Sequence, residues 1–224
     1  MSVAVKICGL SEPESLRAAI EGGARWVGFV FYPASPRNVA PALAADLARL
    51  VPTGVRTVGL FVDPDDDLLE HVVGQVPFDM LQLHGKETPE RVAAVKAAFA
   101  IPVMKAIKVG APEDLDRAMD YAGAADRLLF DSKPPPKVAT LPGGTGIAFD
   151  WTLLAGRTWP KPWMLSGGLN AGNVAEALRV TGAPALDVSS GVEDRPGHKD
   201  PALVRAFLKT VSGLNTVSGL EPRA

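Results

Sequence analysis

Residues 3–31 read VAVKICGLSEPESLRAAIEGGARWVGFVF, and this stretch decides the fold. A run of alternating valine and isoleucine, Val3 to Ile7, gives way at Pro13 to a segment whose apolar residues recur at three and four. A second strand-like run, Trp26 to Phe31, then follows. Strands are short and β-branched or aromatic, whereas helices are longer and rich in Ala and Leu, so the stretch is a strand, a crossover helix and a strand. The same alternation continues through the chain. Further strands are expected at Val55 to Phe61, Met80 to Leu83, Val103 to Ile107, Arg127 to Phe130, Pro162 to Ser166 and Ala185 to Val188. Helices are expected at Pro13 to Gly22, Pro41 to Val51, Asp65 to Gly74, Thr88 to Phe99, Pro112 to Tyr121, Asp150 to Gly156, Asn173 to Val180 and Pro201 to Val211. Thr88 before Pro89 and Asp200 before Pro201 put a capping side chain and then a proline where a first helical turn wants them.

Eight such repeats predict a single (β/α)₈ TIM barrel, α/β in class, in place of an open nucleotide-binding sheet. The glycine fingerprint of the open sheet is missing, because Gly144-Thr-Gly146 has Phe149 where a third glycine should stand. The 224 residues suit one large domain, with the barrel over 1–212. Thr210-Val-Ser-Gly-Leu214 recurs at 216–220 without apolar periodicity, which predicts a flexible tail over 213–224. Pro134-Pro-Pro136 marks a long loop after the sixth strand, of the kind that covers active sites.

A formal net charge of -2 leaves no basic surplus for a phosphate backbone, so nucleic acid is not an expected partner. One cysteine, Cys8, allows no internal disulfide and no cysteine metal cluster, which fits a reducing cytoplasm. There is neither a signal-like start nor a run of about eighteen apolar residues, so no membrane is expected either. A small molecule is the expected partner, and the chain is expected to be a monomer or a homodimer.

In a barrel of this kind the reacting groups lie at the C-terminal strand ends, and the two-residue period of a strand says which side chains point inward. Ala4, Lys6 and Cys8 share the inner face of the first strand, Gln82 and His84 that of the fourth, Leu129 and Asp131 that of the sixth, and Asp187 and Ser189 that of the eighth. Polar groups therefore converge on one mouth. Plain structural readings stand beside the functional ones: Cys8 as a small buried apolar group, Asp131 as a turn cap and His84 as an oriented structural histidine. Lys6, costly inside the barrel without an anion, is expected to pair with Asp187. Glycine-rich turns follow the last three strands, Gly143-Gly144-Thr145-Gly146, Gly167-Gly168 and Ser189-Ser190-Gly191. Backbone N–H groups in such turns approach anions closely, and the last two loops are where barrels commonly hold phosphate.

Several of these segments together resemble the phosphoribosylanthranilate isomerase family. They are Lys6-Ile-Cys8-Gly9-Leu10, Gly28-Phe-Val-Phe with Ser35-Pro36-Arg37, Val58-Gly-Leu-Phe-Val62 and Leu81-Gln-Leu-His84-Gly85. Later ones are Phe130-Asp131-Ser132, Gly143 to Gly146 leading to Phe149-Asp-Trp151, Leu165-Ser-Gly-Gly-Leu169 with Asn173-Val174, and Asp187 to Glu193 through Pro196-Gly197 to Lys199-Asp200. The resemblance covers residues 3 to about 208; Ser11 departs from it, in a place where the family often has threonine. It implies a cofactor-free Amadori rearrangement in tryptophan biosynthesis. A general acid opens the ribose ring of N-(5′-phosphoribosyl)anthranilate, and a general base removes the C2′ proton. By that resemblance Asp131 is the acid, Cys8 is the base and Arg37 holds the anthranilate carboxylate. His84, Gly144, Gly146, Gly167, Gly168, Asp187, Ser189 and Ser190 complete the substrate-binding set. Two rival readings are a histidine-pathway aldose isomerase, whose first strand ends in aspartate where this chain has Cys8, and a barrel that binds phosphate without catalysis.

Overall fold

The computed structural model describes residues 2–133 and 148–217. Eight parallel strands close into a barrel in sequence order. They are β1 (Ala4–Cys8), β2 (Trp26–Phe31), β3 (Arg56–Phe61), β4 (Met80–Leu83), β5 (Val103–Val109), β6 (Arg127–Ser132), β7 (Trp163–Leu165) and β8 (Ala185–Val188). Closure comes from β8 pairing with β1, which sets Lys6 opposite Asp187. The helices among the described residues are α1 (Pro13–Glu21), α2 (Pro41–Ala48), α3 (Asp66–Val73), α4 (Pro89–Phe99), α5 (Pro112–Asp120), α6 (Val174–Thr181) and α7 (Pro201–Val217). The expected caps are made: Thr88 Oγ1 accepts from Arg91 N at 3.3 Å and Asp200 Oδ1 from Ala202 N at 2.7 Å.

Strand alternation sorts the side chains as expected. Outward residues such as Ile7, Phe29, Phe31, Phe61 and Phe130 join the helices in the main core. Inward residues Trp26, Val58, Met80, Met104, Ala106, Leu129, Met164 and Ala185 fill the barrel itself. Above that apolar plug lie Cys8, Val30 and Leu60. Polar Lys6, Gln82, His84, Asp131 and Asp187 share this upper level and are all buried. An apolar floor beneath polar strand ends leaves one end of the barrel for chemistry.

Three segments differ from expectation. Asp150 to Gly156 is not an α-helix but a four-residue 3₁₀ turn, Trp151–Leu154. Asp150 Oδ1 caps it by accepting from Thr152 N and Oγ1, Gly156 ends it at φ 69°, and large rings beyond it take over the covering role. Trp159 lies 4.4 Å from the Phe130 ring and Trp163 5.7 Å, contacts worth about 0.5–1.5 kcal/mol each beyond their burial. The last helix continues past Val211 to Val217, because Leu214 still reaches the core and Gly213 alone does not stop a helix already anchored by packing. The helix thus takes in the start of the repeat expected to be a tail; residues 218–224, and the whole of the Pro134 loop with Gly143 to Gly146, lie outside the described residues. Finally, a small hairpin, β9 (Glu193–Arg195) and β10 (His198–Lys199), follows β8. Its Gly197, at φ 85°, presses on the loop after β2: a Cβ there would stand 2.3 Å from the Pro36 carbonyl oxygen.

Candidate active site

Cys8 ends β1 with Lys6 two residues below it on the same inner face. Lys6 Nζ donates to Asp187 Oδ1 at 2.9 Å, the partnership expected from sequence, and Ser166 Oγ donates to Asp187 Oδ2 at 3.2 Å. Gly28 leaves the space this needs, since a Cβ on it would come within 3.1 Å of Cys8 Sγ and 3.2 Å of Lys6 Nζ. Burial pushes the Cys8 thiol above its ordinary pKa; Lys6 pulls it back, but Asp187 adds to the upward push. Burial opposes the Lys6 charge most strongly, yet Asp187 and Cys8 together outweigh it and the ammonium is retained. Cys8 thus rests as a thiol at neutral pH.

Asp131 ends the inner face of β6. Its Oδ1 accepts from Ser132 N at 2.9 Å, and its Oδ2 faces both His84 Nε2 at 3.0 Å and Lys108 Nζ at 2.5 Å. Gln82 Nε2 lies 2.8 Å from His84 Nδ1, so the amide N–H donates there and the neutral ring donates from Nε2 to Asp131. Burial and Lys108 together hold His84 below its ordinary value, which keeps it neutral. Burial raises the Asp131 pKa, but Lys108 and His84 more than reverse this and leave the carboxyl far below the usual carboxylate range. The loop carrying His84 is braced from outside the barrel, where Lys105 Nζ donates to Gly85 O at 2.8 Å and to Glu87 Oε2 at 2.7 Å. Glu87 Oε1 in turn accepts from Asp63 N at 2.9 Å.

Arg37 lies in the loop after β2, buried, with Nε donating to Glu193 Oε1 at 2.7 Å and Nη2 to Oε2 at 2.8 Å. This two-pronged grip fixes the plane of the guanidinium. Glu193 also pairs with Lys199, and Lys199 Nζ reaches Ser189 Oγ at 3.2 Å, which donates to Cys8 O at 3.0 Å. Burial lowers the Lys199 pKa to about 8 against the pull of Glu193. Gly167 (φ 90°) and Gly168 (φ 66°) take backbone angles that a side chain resists, and together with Ser189 and Ser190 they line a hollow that Asp131 and Asp187 also border. Gly191 must be glycine for these two loops to meet, because a Cβ would stand 1.8 Å from Leu169 O. Cys8, Arg37, His84, Asp131, Gly167, Gly168, Asp187, Ser189 and Ser190 thus meet at one mouth, whereas Gly144 and Gly146 lie outside the described residues. Lys108 was missed because the fifth strand was expected to end at Ile107. Its signal is the period Met104, Ala106, Lys108. Glu193 and Lys199 stood in the sequence motif without a role, for nothing in the sequence joins them to Arg37.

A family model described as N-(5'phosphoribosyl)anthranilate (PRA) isomerase matches residues 5–210. The chain belongs to this isomerase family. It is 70% identical to an N-(5'-phosphoribosyl)anthranilate isomerase of Rhodospirillum centenum over 96% of this chain and 100% of that one. It is 60% identical to one of Paracoccus denitrificans, over 93% and 96%. Among solved structures, the phosphoribosyl anthranilate isomerase of Thermotoga maritima matches with a TM-score of 0.83 and 38% identity, over 94% of this chain and 99% of that one. Another structure of the family, in complex with reduced 1-(o-carboxyphenylamino)-1-deoxyribulose 5-phosphate, matches with a TM-score of 0.78 and 36% identity over the same shares. The chain is therefore an isomerase of tryptophan biosynthesis that converts N-(5′-phosphoribosyl)anthranilate to 1-(2-carboxyphenylamino)-1-deoxyribulose 5-phosphate. Cys8 at the end of β1 and the matching model together set aside the histidine-pathway reading. Among the described residues, no helix is long and apolar enough to cross a membrane.

Proposed function

We propose that Asp131 is the general acid and Cys8 the general base of this isomerisation, with the substrate phosphate on the turns after β7 and β8 and its carboxylate at Arg37. The observation that carries the reading is that a thiol, a carboxylate and an anion-suited backbone share one mouth. The Gly167-Gly168 and Ser189-Ser190 turns border Asp131, and Ser189 binds the Cys8 carbonyl. An anion anchored there leaves the ribose between β6 and β1. Asp131, once protonated, gives its proton to the ring oxygen, the C1′–oxygen bond breaks, and a Schiff base forms with the amine. Cys8, as thiolate, then takes the C2′ proton to give the enolamine, which tautomerises to the ketone. His84 and Asp187 support this by orienting Asp131 and Lys6. No cofactor is needed for such a sequence of proton transfers. We infer further that the enzyme works in the cytoplasm, where a free thiol stays reduced, as a monomer or homodimer.

The test is kcat for Cys8→Ala and Asp131→Asn, followed through loss of anthranilate fluorescence. Each is expected to fall by about two to four powers of ten, the usual share of a positioned acid or base, in a folded protein. Cys8→Ser is expected to be impaired almost as badly, a hydroxyl being a far weaker base than a thiolate. Near-full turnover by Cys8→Ala would move the base elsewhere, with His84 the first group to test.

A further inference from the structure

We propose that Lys108 is a positioning residue for the acid: its ammonium occupies Asp131 Oδ2 in the substrate-free enzyme and passes to an anionic group of the incoming substrate, freeing that oxygen for the reacting centre. The proposal rests on the reading of Asp131 as the acid.

The placement follows from strand register, since β5 and β6 run parallel with Lys108 opposite Asp131. A carboxylate oxygen has two lone-pair sites. On Asp131 Oδ2 they face His84 Nε2 at 3.0 Å and Lys108 Nζ at 2.5 Å, while Oδ1 is engaged by the Ser132 amide at 2.9 Å. With both of its lone-pair sites taken, Oδ2 has no room for a proton or a sugar oxygen, so it can serve the reacting centre only once one donor leaves. His84 is buried and pinned by Gln82 at 2.8 Å. Lys108 is the movable one: its side chain is 23% exposed against 5% for Asp131, it sits at the strand end, and an ammonium on a flexible stem re-aims easily. It also lies 2.8 Å from His84 Nε2, so the two side chains converge on the same carboxylate oxygen.

The substrate supplies what the ammonium needs, because it brings a phosphate and a carboxylate into the same mouth. The other charged and titratable groups around Asp131 do not provide an alternative. Asp187 on β8 is already paired with Lys6 on β1, Cys8 is held as a thiol beside them, and His84 is kept neutral. Once Lys108 departs, the carboxyl loses its strongest charged partner and takes up a proton more readily.

Steady-state kinetics of Lys108→Met and Lys108→Arg against the wild type, across pH, test this. Lys108→Met is expected to raise KM about tenfold or more, the loss of one charge-assisted contact. It should also move the acid limb of kcat/KM upward, toward the ordinary carboxylate range of about 4, because that limb reports the free enzyme. Lys108→Arg, which keeps the charge, should stay near the wild type in both. Inhibition by inorganic phosphate and by anthranilate identifies the receiving group: the inhibitor whose Ki rises in Lys108→Met is the anion that Lys108 joins. Should the methionine variant not fold, Lys108→Gln answers the same questions with a neutral polar side chain. An unchanged acid limb, an unchanged KM, or an unchanged Ki for both inhibitors overturns the proposal. Asp131→Asn, measured alongside, separates the two claims. If it keeps full turnover the acid assignment fails; if it is inactive while Lys108→Met behaves as wild type, only the role of Lys108 fails.

Discussion

On the β1 and β8 side of the mouth a cation, Lys6, lies beneath the thiol and is matched by Asp187 at 2.9 Å; on the β4 to β6 side a cation, Lys108, touches the carboxylate itself at 2.5 Å. The first charge is spent on a third group, so Cys8 keeps its proton; the second is spent on the functional group, so Asp131 gives its proton up. Each group therefore rests in the state opposite to the one its proposed role requires. The proposed base, which must act as a thiolate, waits as a thiol, and the proposed acid, which must act protonated, waits as a carboxylate. The lesson is that burial and charge do not tune a catalytic group until the partner of every nearby charge is counted. The substrate has to supply the correction when it binds.

The two sides of the mouth diverge most at Lys6. Lys6→Met leaves Asp187 buried with the Ser166 hydroxyl as its one remaining hydrogen-bond partner among the described residues, which costs about 3–5 kcal/mol, read as a loss in the free energy of urea unfolding. A loss under about 1 kcal/mol would show that water or another cation reaches Asp187, and the two sides would no longer differ as described. A smaller effect is expected at Arg37, whose guanidinium is already aimed by Glu193. If Arg37 holds the substrate carboxylate as proposed, Arg37→Ala should raise KM about tenfold or more with kcat nearly unchanged, since a contact that persists through the reaction is uniform binding. A large fall in kcat at unchanged KM would place Arg37 in the chemistry. Smallest is the acid dependence of stability. Asp131 and Glu193 are both held below their ordinary values, burial opposing and the neighbouring cations prevailing. Their contribution is full above the unfolded values of about 4 and is lost as pH falls through the lower folded values. Unfolding midpoints should therefore drop below about pH 4, and less steeply in Asp131→Asn. An identical slope in that variant would mean that the carboxyl is not depressed.

The barrel was legible in the sequence because its evidence is repeated: eight strand-like runs each signal the same unit, and one miscounted helix does not disturb the rest. The Asp150 segment misled because four helix-compatible residues carry no periodicity long enough to separate an α-helix from a 3₁₀ turn. The end of the last helix was not legible because the second copy of the repeat, at 216–220, carries no apolar periodicity, whereas the first copy reaches the core through Leu214. The inward placement of Cys8 and Asp131 and the pair of Lys6 with Asp187 were legible because strand alternation fixes which residues share a face, and adjacency of the first and last strands follows from closure. Glu193 and Lys108 were not. The first meets Arg37 across 156 residues by way of a hairpin pressed onto another loop, and the second depends on where one strand ends. Local pattern carries neither kind of information.

The claim that the two groups rest in the wrong states for their work is tested most directly on Cys8, because it is the only cysteine in the chain and its thiolate absorbs in the ultraviolet without a competing thiol. Titration of the substrate-free enzyme is predicted to show the thiolate appearing only above the ordinary thiol value of about 8.5. A thiolate already formed at neutral pH would contradict the account.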